Sequence, residues 1–162
     1  MWKLSLVILT IVCGVVESIT FDEAVTFTVY NNGSSFASNF DTTLTSQGCD
    51  PAGKFAIITH GYLESNQSTW VNELVTNLTN VRGGCIVFMD YSYYASKDYV
   101  SLRNVFQNIS AVLLKKLRQM ESEGFSGDRG YGFGFSFGSR LLAEACSVFG
   151  YQKMKNLDRE FH

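Results

Sequence analysis

Residues 128–141 read DRGYGFGFSFGSRL. At their centre lies Gly134-Phe135-Ser136-Phe137-Gly138, a G-x-S-x-G motif between a predicted strand (130–135) and a predicted helix (138–149). The chemistry gives this spacing its meaning. A sharp strand-to-helix turn holds the serine in a strained backbone conformation and presents its Oγ above the sheet. The residues two before and two after crowd the turn, so the missing Cβ of Gly134 and Gly138 matters there. The N–H of Phe137, at the helix start, then points to where an oxyanion would develop. Taken alone the motif is a weak signal in a glycine-rich chain. Its strand–turn–helix context makes Ser136 the candidate nucleophile.

Working outward, the chain from Lys54 onward alternates strands and helices. FAIIT (55–59) and CIVFM (85–89) are compact apolar runs that suit buried strands. Trp70, Val71, Leu74, Val75 and Leu78 recur at helical spacing and predict a helix over 68–79, and Gly83-Gly84 breaks the chain after it. One long helix is predicted over 98–122, its apolar stripe running from Leu102 to Met120, with Ser96 or Asp98 as its cap and Gly124 beyond its end. Nearer the N-terminus, 24–30 reads as a half-buried strand and Asn32-Gly33 as a turn, while 34–53 is polar and predicts loops around at most one short strand. Strands joined by helices imply βαβ units and a mostly parallel sheet with flanking helices. The strand at 55–59 ends in His60-Gly61-Tyr62. Gly61 permits close backbone approach and the N–H of Tyr62 supplies a second oxyanion donor. His60 reads as a residue that orients this loop and not as the general base.

These stretches carry a resemblance. FTVYNNGS (27–34), KFAIITHGYLES (54–65), GGCIVFMDYSYYA (83–95) and DRGYGFGFSFGSRL (128–141) are similar to segments of the pancreatic-lipase-like family of secreted neutral lipases, in family order, and resemble its yolk-protein-related branch. The resemblance implies an α/β-hydrolase fold. It also implies hydrolysis of acylglycerol or phospholipid esters through an acyl-enzyme on Ser136, with the N–H groups of Tyr62 and Phe137 as oxyanion donors and no cofactor. The partners implied are a lipid or ester substrate and contact with a lipid interface. Two departures stand out. Phe135 and Phe137 replace the His and Leu that more often flank the serine. The chain also ends in LDREFH (157–162), where the family supplies an acid within an Asp-Pro-Ala-Gly-like segment and, much later, a histidine. Asp158 follows Ser136 at close to the family's separation and is a weak candidate for the acid, matching a neighbouring aspartate of that segment better. Of the two histidines, His60 precedes the serine and His162 is terminal. The expectation is a C-terminally truncated α/β-hydrolase domain over 19–162, with little activity in this form because a serine without a positioned base is a poor nucleophile.

Composition supports a globular secreted chain. With 162 residues, one domain is the natural expectation. Hydrophobic residues make up 46%, too many for a disordered chain, and the net charge of −2 leaves no electrostatic footprint for nucleic acid. Lys3 followed by the apolar run Leu4 to Val16, with Val16 and Ser18 placed for cleavage before Ile19, predicts a signal peptide over 1–18. The run is shorter than the ~20 residues of a transmembrane segment. Secretion makes the Asn-x-Ser/Thr sequons at Asn32, Asn66, Asn77 and Asn108 possible glycan sites. Cleavage also removes Cys13 and leaves Cys49, Cys85 and Cys146, an odd number with three possible pairings. The cysteines lack C-x-x-C spacing and the histidines are isolated, so no metal site is expected. Two other readings stand beside the enzyme: a non-catalytic secreted protein that binds a lipid or a partner on a lipase scaffold, and a fragment that does not fold alone.

Overall fold

A computed structural model of the chain describes residues 18–149 and 156–160. The predicted signal peptide, except for Ser18, and His162 therefore lie outside the described residues. The described chain begins with a single helical turn, α1 (Phe21–Ala24), fixed by the Glu23 carboxylate, which accepts from both the N–H and the hydroxyl of Thr20 at 2.8 Å. A hairpin follows, β1 (Thr26–Asn31) and β2 (Ser34–Ser38). Its two-residue loop is Asn32-Gly33, both with positive φ (49° and 77°), the turn chemistry that matches strand twist. The remaining elements are β3 (Phe55–Thr59), α2 (Thr69–Val81), β4 (Cys85–Asp90), α3 (Ser92–Ala95), α4 (Tyr99–Asn104), α5 (Phe106–Ser122), β5 (Gly130–Phe135), α6 (Phe137–Phe149) and β6 (Asn156–Glu160).

The strands form one mixed sheet in the order β2-β1-β4-β3-β5-β6. β4, β3, β5 and β6 are mutually parallel, whereas β1 runs antiparallel to both β4 and β2. The central strands β3 and β4 are buried at every position, as the near-continuous apolar runs FAIIT and CIVFMD require of strands covered on both faces. One face packs under α5 and α6 around Phe27, Val29, Ile57, Val87, Leu113 and Leu141. The other packs under α2, where Val71 and Val75 meet Ala56, Ile58, Ile86 and Phe88. The result is a three-layer α/β arrangement.

β5 shows how sequence sets layer spacing. Gly130, Gly132 and Gly134 are buried on one face, and Tyr131, Phe133 and Phe135 are half-buried on the other. The bare glycine face lets α6 fold back directly onto its own strand: a Cβ on Gly134 would lie 2.5 Å from Ser139 Cα.

One difference from the sequence-based expectations has a physical cause, and two features that the sequence left open are decided by long-range contacts. The long helix is two helices, broken at Val105 (φ −102°, ψ 9°), whose N–H bonds to Leu102 O in a tightened last turn. The break redirects the chain so that α4 carries Tyr99 toward Tyr62 and Phe137 while α5 lies along the sheet. Asp98 is the cap, accepting from Ser101 N–H at 2.9 Å. The polar stretch 34–53 contains one strand, β2, and is otherwise tied to α5 by two side chains. Lys116 Nζ donates to Asn39 O (3.1 Å) and Thr42 O (2.6 Å), and Glu123 accepts from the N–H groups of Leu44 (3.0 Å) and Thr45 (2.7 Å). Cys49 and Cys85 form a disulfide and the buried Cys146 lies outside it, which selects one of the three possible pairings. Among the described residues no helix is long and apolar enough to cross a membrane.

Candidate functional site

Ser136 occupies the single residue between β5 and α6. Its φ is 51°, a left-handed conformation rare for a non-glycine residue and costly to hold. Two features hold it. Its carbonyl accepts from both the N–H (3.1 Å) and the hydroxyl (2.6 Å) of Ser139, which locks the first turn of α6. Gly138 then packs so closely on the end of β3 that a Cβ there would lie 2.2 Å from His60 O, and its carbonyl accepts from Thr59 Oγ1 at 2.9 Å. The elbow is thus fastened to the neighbouring strand, and Ser136 stays half-buried at the rim of the sheet.

The loop after β3 comes up against it. A Cβ on Gly61 would sit 3.2 Å from Ser136 Cβ and 3.0 Å from Phe135 Cδ1, so this backbone lies close beside the serine and a larger residue would press on both side chains. Glu64 shapes the loop by accepting from Gly61 N–H (2.6 Å) and from Trp70 Nε1–H (2.7 Å). With the Gly61 amide bonded in this way, the N–H of Tyr62 is the loop's next donor. Phe137 N–H is the first of α6, one of the amides a helix leaves without an internal acceptor. Leu63, the next residue of the loop, holds φ 61° and bonds through its N–H to Ala95 O at 3.1 Å.

His60 is fully buried. Its Nδ1 donates to Gly61 O at 2.8 Å, its Nε2 accepts Tyr91 N–H at 3.1 Å and sits 3.4 Å from Asp90 Oδ1, and its ring stacks on Tyr91 at 4.1 Å. The Tyr91 hydroxyl donates to His60 O. Both ring nitrogens are taken up in these contacts, so His60 braces the loop. Burial works against ionisation of Asp90, whereas the N–H (2.8 Å) and side chain of Ser92 favour its charged form and hold its carboxyl below the usual range. Asp90 also accepts from Asn66 N–H at 3.2 Å, so one carboxylate ties the ends of two βα loops together.

The surroundings of the serine are aromatic and apolar. Phe137 lies among Tyr91, Tyr99 and Phe106, at ring separations of 5.6–6.1 Å, and Trp70 lies 5.6 Å from Phe135 on the opposite side. Leu63 (67% exposed), Tyr99 (43%) and Val100 (56%) extend this surface to solvent.

Asp158 belongs to β6 and pairs in register with Phe133, three residues before Ser136, whereas Glu160 pairs with Phe135 beside the elbow. At a strand rise of ~3.3 Å per residue, the Asp158 backbone stands about 10 Å below the level of the serine. The structure thus brings together Ser136, Phe137, Gly134, Gly138, Gly61, Tyr62 and His60, and leaves Asp158 apart. Glu64, Ser139 and Asp90 are members that motif reading missed. Ser139 was signalled by its place three residues after Ser136 at a helix start, whereas Glu64 and Asp90 had no local signal. Among the described residues no group of His, Cys, Asp and Glu could hold a metal ion. The sequon asparagines Asn32, Asn77 and Asn108 are exposed, and Asn66 is half-buried beside the site. No protein-family model matches the chain, and no curated protein matches it in sequence.

Proposed function

We propose that the chain is a secreted carboxylic ester hydrolase of the lipase type, built on an α/β-hydrolase framework, that works through an acyl-enzyme on Ser136. One observation carries this reading: a serine held at φ 51° on a strand-to-helix turn, with the glycine of a neighbouring βα loop packed against it. In this reading Oγ is the nucleophile and the backbone amides of Tyr62 and Phe137 are the oxyanion donors. In the reaction, Oγ attacks the ester carbonyl and the oxyanion develops toward those amides. The alcohol then leaves, and water releases the acid from the serine ester. The apolar rim of Leu63, Tyr99 and Val100 fits a substrate with an acyl chain presented at a lipid interface. The Cys49–Cys85 disulfide fits an oxidising, extracellular compartment.

Proton transfer sets the rate. His60 is enclosed and is the only histidine among the described residues, so the base would have to come from elsewhere, as with His162 in the order Ser…Asp…His. The expected activity is therefore low. A serine site without its full triad retains ~10³–10⁴-fold acceleration over water from its oxyanion donors and binding.

The test is covalent labelling of the folded protein with a fluorophosphonate, followed by mass spectrometry. An adduct on Ser136, lost in Ser136→Ala together with all esterase turnover, is the expected result. Turnover unchanged by Ser136→Ala would refute the reading. The enclosure of His60 favours a second reading, a non-catalytic lipid-binding protein on the same scaffold. This predicts no adduct and saturable binding of a fluorescent fatty acid that persists in Ser136→Ala.

A further inference from the structure

Across the sheet from α5 and α6, the β1–β2 turn and α2 enclose a second cleft of about 320 Å³. That volume is at the small end for a ligand site. Its walls have a distinct chemistry. Tyr30 and the buried Val75 give it apolar surface, and the carboxamides of Asn72 and Asn80 with the hydroxyls of Thr76 and Thr79 line it beside them. None of the lining residues is charged, which disfavours phosphates, carboxylates and amines. The hydroxyls of Thr76 and Thr79 donate to Asn72 O and Val75 O at 2.8 Å, so they turn lone pairs outward as acceptors. The asparagine amides supply both donors and acceptors. A neutral ring with a ring of hydroxyls and an apolar C–H face matches this set: a pyranose.

The position of the cleft identifies the source of such a ring. Gly33 and Ser34 line it and are the second and third residues of the sequon that begins at the exposed Asn32, and Thr79 closes the sequon of Asn77 on the opposite wall. We propose that Asn32 is glycosylated and that the cleft seats the first N-acetylglucosamine of that glycan, bridging the hairpin turn to α2. A tethered sugar needs little intrinsic affinity, because a short linkage holds it at an effective concentration of order mM. The idea depends on passage through the secretory pathway and is independent of any chemistry at Ser136.

The experiment uses the full chain secreted from a eukaryotic host. Glycopeptide mass spectrometry reads occupancy at Asn32, and amide hydrogen exchange reads protection of 72–80 on α2. Three forms are compared: glycan trimmed to a single N-acetylglucosamine, Ser34→Ala, which removes the sequon but keeps the Asn32-Gly33 turn, and Ser34→Thr, which keeps both. The expected result is occupied Asn32 and several-fold slower exchange over 72–80 in the trimmed and Ser34→Thr forms than in Ser34→Ala. Thr76→Leu, an exposed change that fills the cleft, should remove that difference while the glycan remains attached. An unoccupied Asn32, or equal exchange with and without the sugar, overturns the proposal. Protection that is lost in Asn77→Gln while the Asn32 glycan remains attached also overturns the assignment to the Asn32 glycan.

Discussion

At the scale of single residues, the strain at Ser136 makes a measurable claim. Left-handed backbone costs a non-glycine residue roughly 1–2 kcal/mol, and glycine escapes most of it. Ser136→Gly and Ser136→Ala both remove the hydroxyl, but only the first removes the strain. Ser136→Gly is therefore expected to be more stable than Ser136→Ala by about 1 kcal/mol in urea unfolding, and equal midpoints would mean that the turn is not strained. Glu64 makes a different claim. Its two oxygens accept from two donors, Gly61 N–H and Trp70 Nε1–H, so Glu64→Gln must turn its amide N–H toward one of them. The expected loss is about 1–2 kcal/mol, with a change in Trp70 fluorescence as the indole loses its acceptor. An unchanged emission spectrum and midpoint would show that the carboxylate does not hold the loop. The contrast between these residues explains what could be read from sequence. Ser136, Gly134 and Gly138 lie within one pentapeptide whose spacing reflects a local backbone conformation. The roles of Glu64, toward Trp70, and Asp90, toward His60, depend on where separate elements arrive, and side-chain pairing of that kind leaves no periodic trace.

At the scale of elements, the strands and helices were legible wherever burial imposes a period. β3 and β4 declared themselves as apolar runs and α2 by its stripe, whereas the break between α4 and α5 did not, because the stripe of Leu102, Ile109 and Leu113 continues across Val105. α1 and α3 are too short to show a period at all. The tie between α5 and the 39–45 segment was hidden for a related reason: Lys116 falls within a helix where lysine is ordinary, yet it is fully buried. Desolvation pulls its ammonium down to about 8, despite the opposing pull of Glu123 and Asp41. The sign of the linkage follows. Between pH 8 and 10 the unfolded chain keeps a proton on this lysine that the folded chain has released, so stability rises with pH in that window. From pH 8 to 9.5 the gain should be about 1.5 kcal/mol, and it should vanish in Lys116→Met. The comparison must stay below pH 10, where unfolded tyrosines ionise while Tyr30, Tyr91 and Tyr94 remain held protonated by burial. Urea midpoints that fall in parallel for both proteins over this range would show that Lys116 is not desolvated as the structure has it.

At the scale of the whole molecule, the question is how one sheet keeps its edge hairpin and its central strands in a single cooperative unit. β1 and β2 meet the rest through the β1–β4 pairing and through the packing of Phe27 and Val29 under α5 and α6, and the polar stretch between β2 and β3 has little apolar surface of its own. The Cys49–Cys85 bond crosses at this place, joining the segment before β3 to the first residue of β4 across a sequence separation of 36. It closes a loop that contains β3, the His60-Gly61-Tyr62 turn and all of α2, so every element that shapes the approach to Ser136 from that side lies within it. Three mature cysteines left the pairing open in sequence because distance in space decides it, and the parallel register of Phe55 with Cys85 is what brings Cys49 within reach. A closed loop of this length should stabilise the native state by about 4 kcal/mol through the entropy it removes from the unfolded chain. The double variant Cys49→Ala/Cys85→Ala is therefore expected to unfold at markedly lower urea concentration, with the Cys146 thiol, buried in the oxidised protein, becoming reactive to a maleimide at sub-denaturing urea. If the double variant instead matched the oxidised protein in midpoint and thiol protection, the hairpin and the βαβ core would be held together by packing alone, and the site's stability would not depend on an oxidising environment.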